Sequence, residues 1–177
     1  MENVNNTDQR MLTGMFRDRE SAERAYSSLN SRGYNHDEVN LMMSDDTRKK
    51  HFENSDHDTD LGNKALEGAG TGSAIGGTAG AIIGAIAAIG TAVAIPGLGL
   101  VVAGPLAAAL AGAGAGGLTG GVVGALIGSG IPEERAQHYE SGIKEGGIVM
   151  GVKPRNQEDA EYLENEWKNN SGEHVYR

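Results

Sequence analysis

Residues 11–43, MLTGMFRDRESAERAYSSLNSRGYNHDEVNLMM, decide the fold class. MLTGMF is short, apolar and turn-bounded, which suits a strand. Asp18 can cap the helix that follows, its carboxylate accepting from a first-turn N–H. Ala22, Ala25, Tyr26 and Leu29 recur at i, i+3, i+4 and i+7, the apolar stripe of an amphipathic helix. Gly33 suits the C′ position, where a left-handed backbone carries no steric cost for glycine. VNLMM, starting at Val39, reads as a second strand. Two strands and one helix are too little to be stable alone.

The complement lies at the far end of the chain. Pro132 fits the first turn of a helix, with Glu133 and Glu134 where the helix dipole favours acids. Ala136, Tyr139 and Ile143 make its apolar stripe, and Gly146-Gly147 ends it. IVMGV (Ile148 to Val152) reads as a third strand. Asn156 can cap a further helix with Ala160, Leu163 and Trp167 inward, Gly172 stops it, and HVYR (His174 to Arg177) suits a terminal edge strand. Joined, residues 11–43 and 131–177 give a four-stranded sheet with helices on one face. The expectation is an α+β sandwich of ferredoxin-like type with one additional helix, interrupted by a long insertion. Residues 1–10 (MENVNNTDQR) are polar, lack the apolar core of a signal peptide, and read as the disordered start of a cytoplasmic chain.

What separates the halves falls into two parts. Residues 44–67, SDDTRKKHFENSDHDTDLGNKALE, are polar, charged and poorly periodic, a linker with room for a short helix at either end. Residues 68–130 are the opposite: they hold 20 of the 28 glycines, and no charged residue occurs between Glu67 and Glu133. The chain's mean hydropathy of -0.37 averages these regions and describes neither. Gly68, Gly72, Gly76, Gly80 and Gly84 stand four apart, as do Gly112, Gly116, Gly120, Gly124 and Gly128. Glycine at every fourth position strips one helix flank of side chains, so that a neighbouring backbone can approach closely. Between the two registers lies AIPGLGLVVAGP (Ala94 to Pro105), whose Pro96-Gly97 signals a turn and whose Gly104-Pro105 breaks a helix. The expectation is a glycine-zipper helical hairpin of two runs of about 25 residues, each roughly 38 Å long and able to cross a ~30 Å hydrocarbon core.

A flexible linker would carry serine and charge in place of Ile, Val and Leu. Two destinations remain for the hairpin. In a bilayer, about seven strong hydrophobes per helix at roughly -0.3 to -0.6 kcal/mol give about -3 kcal/mol, offset in part by Gly, Thr and Ser. The alternative is burial within a soluble homo-oligomer. The turn is uncharged, whereas Arg48, Lys49, Lys50 and Lys64 precede the first run and Arg135 follows the second, which would hold both termini in the cytoplasm.

The remaining signals argue against chemistry. With Lys+Arg 15 against Asp+Glu 24, the net charge of -9 disfavours a grip on nucleic acid. The absence of cysteine excludes disulfides, thiolate metal sites and cysteine nucleophiles. Gly112-x-Gly114-x-x-Gly117 matches a dinucleotide fingerprint in letters only, since no strand precedes it and no ribose-binding acid follows at the needed spacing. His51, Glu53, Asp56, His57, Asp58 and Asp60 are dense enough to hold a divalent ion, yet their spacing matches no defined site. His36, His138 and His174 are scattered, Asp45-Asp46 and Glu133-Glu134 look like capping and dipole residues, and Trp167 and Tyr139 read as core. No catalytic, cofactor-binding or metal residue is assigned, and no cofactor is expected.

TGMFRDRESAERAYSSLNSRGYNHDEVNLMM, with its Gly-x-Phe strand, Asp-led Ala-rich helix, Gly turn and short closing strand, resembles the N-terminal module of the bacterial heat-induced and general stress protein family. GIPEERAQHYESGIKEGGIVMGV, after a glycine-zipper hairpin, resembles the C-terminal half of the same proteins. The resemblance runs from Met11 to about Glu166 and carries no active-site residues. It implies a stress-induced, non-enzymatic protein. The expected function is a general stress response protein, membrane-associated and self-assembling through the ten seam glycines, with itself and the lipid bilayer as partners and no nucleic acid. Its expected place is the cytoplasmic membrane, or else the cytoplasm. A soluble homo-oligomer with buried hairpins and a pore-forming or membrane-perturbing protein stand as alternatives.

Overall fold

The computed structural model describes residues 10–53, 93–95, 99–112, 121–128 and 130–177. The expected disorder of the N-terminal segment and most of the 44–67 linker lie outside them. The chain runs β1 (Leu12–Phe16), α1 (Arg19–Ser31), β2 (Val39–Ser44), α2 (Asp45–Arg48), β3 (Val93–Ile95), β4 (Leu100–Ala103), α3 (Pro105–Gly112), α4 (Gly121–Gly128), α5 (Glu133–Lys144), β5 (Ile148–Val152), α6 (Gln157–Asn169) and β6 (Glu173–Tyr176). A one-turn helix at His36–Glu38 precedes β2, and a π-type turn over Lys49–Glu53 follows α2. The helix starts obey local chemistry. Asp18 accepts from Ser21 N, and Asn156 accepts from Asp159 N, both at 2.8 Å. Gly33 takes φ +74 just past α1. Pro132 lies one residue earlier than expected, at the N-cap of α5.

The architecture is α+β. Six strands form one antiparallel sheet in the order β3-β4-β2-β5-β1-β6. β5 fills the slot between β1 and β2: Met150 pairs with Gly14 on one side and with Leu41 on the other. The two ends of the chain therefore share one sheet.

Three expectations need correction. The sheet has six strands where four were expected. Its helices lie on both faces: α1 and α6 cover Leu12, Phe16, Leu41, Met43 and Met150 through Leu29, Leu163 and Trp167. α5, with α3 and α4, covers Met15, Met42, Leu100, Val102 and Val149 on the other face. Gly142 lets α5 come close, since a Cβ there would lie 1.7 Å from Met15 Sδ. Finally, residues 94–105 are not a simple interhelical turn. They contribute β4 and most of β3, and β4 divides its side chains between the two buried faces of the sheet, Leu100 and Val102 on one and Ala103 on the other. The described part of the second glycine run is two short helices, α3 and α4. Trp167 and Tyr139 are core residues as expected, fully buried, with Trp167 edge-to-face on Phe16 at 5.8 Å.

Polar bonds staple the two ends of the chain beside this core. The Tyr34 hydroxyl donates to Asp159 Oδ2 at 2.9 Å and accepts from Arg155 N at 2.8 Å. The Arg155 guanidinium lies 4.3 Å from the Tyr34 ring centroid and donates to both Glu38 oxygens. Arg32 pairs with Asp159 and Glu158. The Asn35 N–H, followed by Arg155, holds the Glu38 carboxyl below its ordinary 4.5. A depressed carboxyl stabilises the fold above its unfolded value and loses that contribution as pH falls through the folded value. Glu38→Gln should therefore lower the melting temperature at neutral pH, with the gap from wild type closing below about pH 4. A gap independent of pH would show that the charge of Glu38 is not what it contributes.

Replacing residues 45–130 by a short Gly/Ser linker tests the shared sheet directly. One cooperative transition should persist, because β1, β2, β5 and β6 remain. Stability should fall by at least about 3 kcal/mol and apolar dye binding should rise, because Met15, Met42 and Val149 lose the cover of α3 and α4. Two separate transitions on calorimetry would mean that the two ends fold independently.

Candidate functional site

The candidate is the part of the uncharged tract that returns to the sheet. β4 lies against β2 with Leu41 opposite Ala103 and Ser44 opposite Leu100, and the Asp45 N–H donates to the Gly99 carbonyl at 2.8 Å. The chain then turns at Gly104, φ +89, where a Cβ would stand 2.1 Å from the Val39 carbonyl oxygen. Only glycine allows that crossing. Beyond it, Asn40 of β2 points to the second face, 7 % exposed. Its Oδ1 accepts from Leu106 N at 2.7 Å, satisfying a first-turn donor of α3, while its Nδ2 donates to the Gly151 carbonyl at 3.3 Å. One amide thus ties the tract to two strands of the sheet.

α4 brings the chain back. Val122 and Leu126 are buried with Ile131, Ala136, Tyr139 and Ile143, and the turn after α4 closes with Ile131 N donating to the Leu126 carbonyl at 3.1 Å. Burial pushes the Tyr139 hydroxyl up to about 12. That hydroxyl is hydrogen-bonded to the His174 carbonyl at 2.7 Å and to Thr13 Oγ1 at 2.8 Å. The outer side of α4 exposes Ile127 at 42 %. Beneath α3 and α4 the joint leaves a partly open pocket of about 10 Å³ bordered by Met11, Asn40, Leu106 and Leu126. That is room for one water. The arrangement is a packed joint, suited to holding helices against a sheet.

Of the seam glycines, Gly112 closes α3, while Gly124 and Gly128 lie one turn apart on α4. A Cβ at Gly128 would meet nothing within 4 Å. Gly68, Gly72, Gly76, Gly80, Gly84, Gly116 and Gly120 lie outside the described residues, as do Gly114 and Gly117 of the fingerprint-like run. Among the described residues no helix is long and apolar enough to cross a membrane, and no three His or acidic residues gather as metal ligands. His51 is described: burial, then Lys50 and Arg19, lowers its imidazole below 6.5, and Arg19 donates to its carbonyl at 2.6 Å. Asp56, His57, Asp58 and Asp60 lie outside. His138 and His174, scattered in sequence, are brought together with ring centroids 4.5 Å apart and planes 13° from parallel. Near-parallel stacked rings share no in-plane point where one metal could sit. Sequence reasoning missed Asn40 and Gly104. The polar residue interrupting VNLMM was the available signal for the first, and Gly104-Pro105 was read only as a helix breaker.

No protein-family model, curated protein or solved structure matches this chain.

Asn40→Ala should cost about 1–3 kcal/mol in urea unfolding, since it leaves the Leu106 N–H and the Gly151 carbonyl without this partner. Gly104→Ala should cost more than Asn40→Ala, because backbone must move. Gly128→Ala, built into open space, should be neutral or slightly stabilising. Equal stability of the Gly104 and Gly128 variants would contradict the crossing of β4's end over β2.

Proposed function

We propose that this chain is a non-enzymatic structural protein of the general stress response that assembles with copies of itself through its uncharged, glycine-rich insertion. Its body is of ferredoxin-like type: β1-α1-β2 and β5-α6-β6, in the order β2-β5-β1-β6, place α1 and α6 on the same face. α5 and the insertion form a second helical layer on the other face. The observation carrying the assembly reading is the pairing of Leu100–Ala103 with β2. A hairpin that crosses a bilayer must hold its Pro96-Gly97 turn on the far side from both termini. Strand pairing with β2 holds the residues beside that turn on the near side. The geometry therefore favours the alternative in which the tract is folded into a protein assembly, in the cytoplasm, over the spanning hairpin. The spanning form would give up the β2–β4 pairing and the Asn40 cap. The resemblance of residues 11–43 and 130–152 to stress proteins supports the biological setting.

Fractionation separates the readings. The protein should be recovered after a carbonate wash as a soluble particle larger than one chain of 18.4 kDa. Gly80→Leu or Gly120→Leu, in mid-seam, should reduce that particle's size, whereas Ala108→Leu, off the seams, should not. Carbonate-resistant pelleting would establish the membrane reading instead, and leakage from liposomes the pore-forming one.

A further inference from the structure

Sulfur in this chain is all methionine: six residues, with no cysteine. Four of the described methionines, Met15, Met42, Met43 and Met150, lie inside the two core layers, none more than 2 % exposed. Met11 is different. It stands one residue before β1 and packs against the second layer while remaining partly exposed.

The Met11 sulfur is set against the joint that holds the insertion. Asn40 Nδ2 donates to Met11 Sδ at 3.6 Å and to the Gly151 carbonyl at 3.3 Å, while Asn40 Oδ1 accepts from Leu106 N at 2.7 Å. A Cβ at Gly151 would lie 3.1 Å from the same sulfur, so the bare backbone of β5 is what leaves the thioether its seat. Met11 also borders the partly open pocket, whose walls include Leu106, Leu126 and Val149. A thioether suits this place, being apolar enough for those walls and a weak acceptor for an Asn40 N–H.

We propose that Met11 is a peroxide-sensitive modification site, whose conversion to the sulfoxide loosens the attachment of the insertion to the sheet. In that step a sulfur lone pair attacks the terminal oxygen of a hydroperoxide. The S–O bond forms as the O–O bond breaks, and the proton on the transferred oxygen passes to the departing one, which leaves as water or an alcohol. Sulfur loses two electrons and the peroxide gains them. A thioether has no proton to lose, so its reactivity follows exposure, and exposure is where Met11 differs from the other four. The product is polar, and its oxygen is a strong acceptor. Leu106, Leu126 and Val149 offer that oxygen no side-chain partner. Asn40 Nδ2 does, but an amide drawn towards Met11 cannot also keep Oδ1 on Leu106 N. Whether the sulfoxide leaves its seat or pulls the amide with it, the first turn of α3 loses its cover. The site acts within one chain, so it stands or falls separately from self-assembly.

The test treats the full chain with hydrogen peroxide and follows each methionine by tandem mass spectrometry. Met11 sulfoxide should form about tenfold faster than the sulfoxides of Met15, Met42, Met43 and Met150. The oxidised protein should melt a few degrees lower and exchange its Leu106 amide about tenfold faster, and methionine sulfoxide reductase should restore both. Met11→Leu, close to methionine in volume, should melt within a few degrees of wild type and show neither change under peroxide. Oxidation of Met11 no faster than that of the four buried methionines would overturn the site. Rapid oxidation of Met11 that leaves the Leu106 amide and the melting temperature unmoved would overturn its coupling to the joint. A Met11→Leu protein that still loosens under peroxide would show that the sensitive group lies elsewhere.

Discussion

The structure depends on one strand entering one slot. β1 and β2 are joined through α1 and do not pair with each other; β5, more than a hundred residues further on, lies between them and pairs with both. Until Ile148–Val152 arrives, neither β1 nor β2 has a partner from its own half of the chain on its inner edge. Closing so long a loop costs roughly 2 kcal/mol more than closing one a tenth as long, because the entropy grows only with the logarithm of length. A sheet core can carry that cost. The long insertion is therefore compatible with a compact body, and its length alone does not make it a separate unit.

A sheet closed in this way has two faces to bury, and that requirement accounts for the insertion's position. Every residue of β1 and β5 is buried. Leu12, Gly14 and Phe16 face α1 and α6, while Thr13 and Met15 face α5. α5 alone leaves the β2 side of the second face to be covered, and the least polar segment of the chain covers it. The glycines serve this directly at Gly104, where the chain crosses β2 at a distance no side chain would permit.

The order of strands and helices in residues 11–43 and 131–177 was legible, because caps, stripes and glycine stops act locally. The second helical layer was legible in principle too: MLTGMF and IVMGV are continuous apolar runs, and continuity where alternation would mark a solvated face signals burial on both sides. What hid the rest was the glycine register. A four-residue repeat in an uncharged stretch reads as helix packing, and under that reading LGLVVAG becomes a connection. Short apolar runs do not distinguish strand from buried helix by period alone; the choice was made by the unpaired edge of β2, which is a tertiary fact. The role of Asn40 was hidden for the same reason. An amide in an apolar strand is a polar group in search of partners, and those partners, Leu106 N and Gly151 O, are supplied by segments distant in sequence.

The two kinds of joint in this molecule rest on different forces. The two ends of the chain are stapled by charged bonds at the surface: Arg155 with Glu38, Arg32 with Glu158, and Arg17 with both Glu145 and Glu173. Pairs of that kind are screened by salt and weakened by acid. The insertion has no charge with which to make any. It is held by strand pairing, by the Asn40 amide and by apolar burial of Ala107, Val122 and Leu126. Apolar burial strengthens in excluded salts and weakens on cooling. Acid therefore loosens the staples while leaving the insertion's attachment chemically unchanged, and cooling does the reverse. The same separation lets an uncharged tract sit on an acidic body without compromising it, since nothing in its attachment competes for the carboxylates and guanidinium groups that close the sheet.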